Sequence, residues 1–145
     1  MILALDTDVL VSWHMRGAPG HAAALRLVRR QVERERGLLG LVPQVIHEFI
    51  HVVTDPRRFG RPLPMADALL RCTVLWHAPE VERIIPSPAV LPRTLELLES
   101  LGLGRKRILD TALAATLEAA GVRRLASFNA ADFAAFPFIE VVVPR

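Results

Sequence analysis

Cysteine occurs once in the 145 residues, at Cys72, so no internal disulfide forms and a four-cysteine metal site is excluded. No apolar stretch approaches the roughly 18 to 20 residues that cross a bilayer. The opening from Met1 to Asp6 has no positively charged stretch and meets an acid almost at once, unlike a signal peptide. Neither a P-loop nor a G-x-G-x-x-G fingerprint is present; Gly102-Leu103-Gly104 lacks the rest of the pattern. Linkers, repeats and low-complexity segments are missing too. These absences predict a cytoplasmic protein of one domain, residues 1–145, with no membrane association.

Lysine is nearly absent as well, Lys106 being the sole one, yet the chain carries a formal charge of +3 and a pI near 10.3. The positive charge is therefore arginine. Its rigid donor fork suits phosphate, although the same bias also arises from genome composition or a hot habitat. Apolar residues make up 52% and charged ones 23%, a globular composition with enough chain for one core.

Apolar patterning predicts strands at Ile2 to Leu5, Leu38 to Val42, Glu82 to Ile85, Arg124 to Ser127 and Ile139 to Val143. It predicts helices at His21 to Arg36, Pro43 to Val53, Met65 to Trp76, Leu91 to Leu101 and Arg107 to Ala120. Proline opens the second of these, and Gly37, Gly102 and Gly121 close the first, fourth and fifth. Asp55 to Pro62 reads as a loop. Strands alternating with helices predict an α/β fold, a mostly parallel central sheet flanked by helices.

In such sheets ligands sit beyond the carboxyl ends of the strands. Asp6 ends the first strand and Asn129 follows the fourth; Asp110 and Glu48 lie in helices among apolar neighbours. An acid in apolar surroundings is costly unless paired. Acids that converge repel one another, and a divalent cation relieves this. Oxygen donors suit Mg2+ (or Mn2+), ions that activate water against phosphodiesters. Each acid also has a purely structural reading. Asp6 and Asp8 fit a turn, Asp110 a first-turn acid and Glu48 a solvated helix position.

Four segments carry a family resemblance. Leu3-Ala4-Leu5-Asp6-Thr7-Asp8-Val9-Leu10 resembles the opening of PIN domains, and Val42-Pro43-Gln44-Val45-Ile46-His47-Glu48 their second motif. Arg107-Ile108-Leu109-Asp110-Thr111-Ala112 is similar to the third, and Leu125-Ala126-Ser127-Phe128-Asn129-Ala130-Ala131-Asp132-Phe133 to the fourth. They run in family order over nearly the whole chain. The resemblance implies a PIN-like three-layer fold and an endoribonuclease resembling the VapC toxins of toxin–antitoxin pairs. It implies metal-binding carboxylates at Asp6, Glu48 and Asp110, an RNA substrate, a homodimer, and a small antitoxin protein that inserts into the active-site groove. Two departures stand out. Asp8 replaces a usual asparagine, and Asn129 stands where many members have a fourth acid, with Asp132 three residues later. Asn129 and Asp132 are thus both candidates for that position. A degraded acidic set would instead make the chain a non-catalytic RNA-binding or interaction module.

His47-Glu48-Phe49-Ile50-His51 also matches the H-E-x-x-H zinc protease pattern, whose histidines share one helix face. No further histidine completes a known ligand pattern. On a helical wheel Ile46, Phe49, Ile50 and Val53 form the buried stripe, with His47 and His51 opposite and Glu48 at the border. Cys72 reads as a core thiol. The basic groups Arg105-Lys106-Arg107 and Arg57, Arg58 and Arg61 read either as solvated turns or as phosphate contacts.

Overall fold

The computed structural model describes residues 1–145. Because parallel strands cannot be joined by a tight turn, each helical segment serves as a crossover. Five strands, β1 (Ile2–Leu5), β2 (Leu38–Leu41), β3 (Val81–Arg83), β4 (Arg124–Ala126) and β5 (Glu140–Val142), lie in the order β3-β2-β1-β4-β5. Every neighbouring pair is parallel, where the sequence predicted a mostly parallel sheet. Six α-helices flank it: α1 (Thr7–His14), α2 (His21–Arg29), α3 (Pro43–Val53), α4 (Met65–Trp76), α5 (Val90–Ser100) and α6 (Ile108–Ala119). The α/β class and the helix-flanked parallel sheet expected from the alternation are both present.

The core follows from the apolar runs. Leu3, Ala4 and Leu5 of β1 are buried, as are Leu39 and Leu41 of β2 and Leu125 of β4. Helix α3 presents Val45, Phe49 and Val53 to the core, and α6 presents Leu113, Ala114 and Leu117. Ile46 and Ile50 are only half-buried, so the α3 stripe is centred one residue away from the wheel's reading. Cys72 is buried as expected. Gly40 lets β2 lie close to its neighbours: a Cβ there would stand 2.8 Å from Ile84 Cδ1 and 2.9 Å from Ile2 Cγ2. No helix is long and apolar enough to cross a membrane.

Three local departures have physical causes. Thr7–His14, which carried no predicted element, is a helix because the Asp6 side chain accepts from the first helical amide. The helix expected over His21 to Arg36 changes pitch after Arg29 into a π-helical turn, Arg30–Arg34. That turn buries Gln31, whose amide donates to the carbonyls of Met1 and Leu38 at 3.0 Å each. Strand β3 begins one residue early, at Val81, where its pairing with Leu39 begins.

The sheet grows outward from β1 in both directions, first to β2 and β3, then to β4 and β5. The reversal leaves a crevice beyond the carboxyl ends of β1 and β4, where open α/β sheets hold their ligands.

Candidate active site

Asp6 leaves the end of β1 with extended backbone, φ −75° and ψ 160°, and caps α1. Its Oδ1 accepts from the Thr7 amide at 2.8 Å, and its Oδ2 accepts from Ser127 Oγ at 2.8 Å. Ser127 is fully buried just past β4, so the hydroxyl ties the two strand ends together. Thr7 then reaches across to α3, its hydroxyl donating to Glu48 Oε2 at 3.1 Å. Gln44, one turn before Glu48, donates to Glu48 Oε1 at 3.2 Å and to the Leu109 carbonyl at 3.1 Å. That second bond joins α3 to the first turn of α6, next to Asp110. A chain of short polar contacts thus holds Asp6, Glu48 and Asp110 in register.

The fourth segment resolves into two different roles. Asn129 donates through its side-chain amide to Asp8 Oδ2 at 2.9 Å, and the Phe128 amide donates to the same oxygen at 3.1 Å. Asp132 sits in a short 3-10 turn, Ala130–Phe133, and its carboxylate contacts Arg107. The same Arg107 nitrogen lies 3.5 Å from Asp110 Oδ2. All five predicted positions, Asp6, Glu48, Asp110, Asn129 and Asp132, line one open cleft of about 620 Å³.

The electrostatics follow from this crowding. Burial pushes the Asp6 carboxyl above its ordinary range against the hydrogen bonds from Ser127 and Thr7, and the charges of Glu48 and Asp132 push it further. Burial raises Asp110 to about 6, with Asp6 and Asp132 adding to the rise and Arg107 opposing it. Asp8 reaches about 7 through burial and the Asp6 charge, and its Oδ1 is buried without a hydrogen-bond partner.

This donor set fits a hard divalent cation in its chemistry: the ligating atoms on offer are carboxylate oxygens, and their mutual repulsion is what such an ion relieves. As oriented, no three acidic, histidine or cysteine side chains close on a single point, and Arg107 supplies part of the compensating charge. The zinc alternative fares worse. His47 and His51 are exposed on α3, while Glu48 is held in the cleft by Thr7 and Gln44. The three residues of that pattern do not share a site.

Three contributors went unnoticed in the sequence, and a fourth, Arg107, read there as part of a solvated turn or a phosphate contact, instead pairs with Asp110 and Asp132. Thr7, Gln44 and Ser127 are ordinary polar residues whose role depends on contacts between elements. Arg107 did carry a signal, since it precedes Asp110 by three residues on a helical start.

A family model for the PIN domain matches residues 3–139. No curated protein sequence matches the chain. Among solved structures it is similar to Mycobacterium tuberculosis VapC20, a sarcin-ricin loop cleaving toxin. The TM-score is 0.67 and the identity 16%, covering 94% of this chain and 95% of that one. A toxin–antitoxin complex from Klebsiella pneumoniae gives a TM-score of 0.66 at 17% identity, covering 99% and 98%. VapBC2 from Rickettsia felis, bound to a DNA fragment from its promoter, gives 0.66 at 18% identity, covering both chains fully. At such identities the likeness to these structures is one of fold.

Proposed function

The chain belongs to the PIN domain family, and from that premise we propose that it is a divalent-metal-dependent endoribonuclease, the toxin of a toxin–antitoxin pair. One observation carries the reading: four carboxylates from separate parts of the chain, Asp6, Glu48, Asp110 and Asp132, line a single cleft at the reversal point of the sheet. Structural scaffolding has no use for such mutual repulsion. Asp6, Glu48 and Asp110 are the ion-holding residues, and Asp132 takes the fourth position in preference to Asn129, whose amide nitrogen is tied to Asp8 and which offers only a neutral carbonyl. Bound there, Mg2+ or Mn2+ supplies Lewis acidity toward the phosphate and a more acidic water.

The chain's own residues do the rest. Ser127 and the Thr7 amide fix the Asp6 carboxylate, while Thr7 and Gln44 fix both oxygens of Glu48. The ligands are thereby held before the ion arrives, which limits the reorganisation that binding would require. A non-catalytic module was motivated only by a missing fourth acid, and Asp132 removes that motive.

The similar structures are toxins or toxin–antitoxin complexes, which supports a small antitoxin as partner. Exposed Leu69, Leu70 and Val74 on α4, and Leu91 and Leu95 on α5, leave apolar surface that suits a homodimer. The proposal extends to one catalytic domain working in the cytoplasm.

The test is cleavage of a structured RNA pool with Mg2+ or Mn2+ by wild type, Asp6→Asn and Asp110→Asn, each with and without chelator. Cutting that requires the metal and both aspartates is the expected result. Cutting that survives both substitutions overturns the site.

A further inference from the structure

A second cavity, of about 850 Å³, opens beside the acidic cleft. Gly17, Arg58 and Phe59 line both, so the two are continuous. Their charges are opposite. The acidic cleft gathers Asp6, Asp8, Glu48, Asp110 and Asp132, with Arg58 in its lining and Arg107 against Asp110 and Asp132. The neighbouring groove is lined by Arg16, Arg58, Arg61 and Arg71, with no acidic residue at all. Arg16 and Arg61 take part in no ion pair, while Arg58 pairs loosely with Asp55, at 3.9 Å. Arg71 donates only to the His14 carbonyl, at 3.4 Å. Guanidinium groups with no carboxylate partner in a concave surface, here Arg16, Arg61 and Arg71, suit phosphate. Two aromatic side chains, Trp13 and Phe59, half-buried, line the same groove.

We propose that this groove is the track by which single-stranded RNA reaches the cleft, its phosphates held by Arg16, Arg58, Arg61 and Arg71 and its bases laid against Trp13 and Phe59. The proposal rests on the ribonuclease reading and names the substrate contact for that site. A cleft of five carboxylates repels a polyanion, so binding must come from flanking positive charge. Aromatic faces accept any base, and splayed single strands offer bases that a duplex hides. Arginine carries the groove's charge. His14, also a lining residue, is held neutral by burial and by Arg71, its pKa lowered to about 4. Arg58 stands at the rim that the groove and the cleft share.

The experiment uses the full chain carrying Asp110→Asn, so that RNA survives, and measures affinity for a short labelled single-stranded RNA across a salt series. Adding Arg16→Gln, Arg61→Gln and Arg71→Gln weakens binding about tenfold or more, and reduces the slope of log affinity against log salt by about 2. The matched control, Arg26→Gln, Arg29→Gln and Arg30→Gln on a separate surface, leaves both readings near the parent. In the cleaving protein the groove triple raises KM for RNA while leaving kcat, and hydrolysis of a small phosphodiester, close to wild type. Unchanged RNA affinity, an equal loss in the control, or a triple that loses only a captured acidic peptide overturns the track. Arginine-dependent binding without cleavage by any form upholds the track and overturns the nuclease reading alone.

Discussion

One guanidinium nitrogen of Arg107 contacts the carboxylate of Asp132 and lies 3.5 Å from that of Asp110. The arginine is a cation already seated among the acids that would hold a metal ion. The two occupants compete for the same negative charge. Arg107→Met therefore lowers the melting temperature without metal, enlarges the gain on adding Mn2+, and tightens Mn2+ binding several-fold by titration calorimetry. Equal gains in wild type and variant would show that Arg107 does not compete.

A second prediction concerns pH. The folded-state pKa values of Asp6, Asp8 and Asp110 all lie above the ordinary 3.8. A carboxyl raised by folding contributes stability that is full below its unfolded pKa and lost as pH climbs through the folded one. For Asp110 that loss runs upward from 3.8 and is nearly complete just above 6, and for Asp8 it continues until just above 7. His14 acts oppositely, being lowered from 6.5 to about 4, so its contribution is present above 6.5 and lost as pH falls toward 4. Above about pH 6.5 only the acids remain in play. The chelated protein thus melts several degrees lower at about pH 8 than at about pH 6.5, and Asp8→Asn removes much of that decline. A melting temperature that rises over this interval contradicts the assignment.

Asp6→Asn separates function from folding. Asparagine caps helices about as well as aspartate, its carbonyl keeping the Thr7 amide while its Nδ2 donates to the Ser127 hydroxyl that Asp6 accepts from. The variant folds with a melting temperature within a few degrees of wild type, while RNA cleavage falls more than about a hundredfold. Circular dichroism melts alongside the cleavage assay test both halves. A collapse of the fold would mean that the carboxylate is structural.

The two candidates for the fourth position make opposite predictions. Asp132→Asn lowers Mn2+ affinity and cleavage by about tenfold or more, because it removes a charge that acts on both Asp6 and Asp110. Asn129→Ala takes a hydrogen bond from Asp8, and its effect falls on melting temperature more than on metal affinity. Reversed outcomes would move the site to Asn129.

Much of this was legible from residue order alone. The apolar run ending in Asp6, the proline before Glu48 and the apolar setting of Asp110 marked where strands end and helices begin, and the alternation gave the parallel sheet. The first helix was not legible. Thr7, Val9, Val11 and Trp13 are β-branched or aromatic residues with no strong helical preference, and only the Asp6 cap and packing against α2 and α3 settle the matter. The different settings of Asn129 and Asp132 were hidden as well. Three residues in an extended chain point elsewhere, but a 3-10 turn brings Asp132 round to Arg107 while Asn129 is spent on Asp8.

The π-helical turn at Arg30–Arg34 has a consequence for how this chain tolerates length changes. Such a turn holds one residue more than the α-helical turn it replaces. Deleting one residue within it would restore the α-helical phase and swing Gln31 by about 100° around the helix. The Met1 and Leu38 carbonyls would lose their shared donor, and a polar side chain flanked by arginine on one side and valine on the other would face solvent. A deletion scan would meet here a one-residue frame that governs the amino end of β1, although it touches no acid of the cleft.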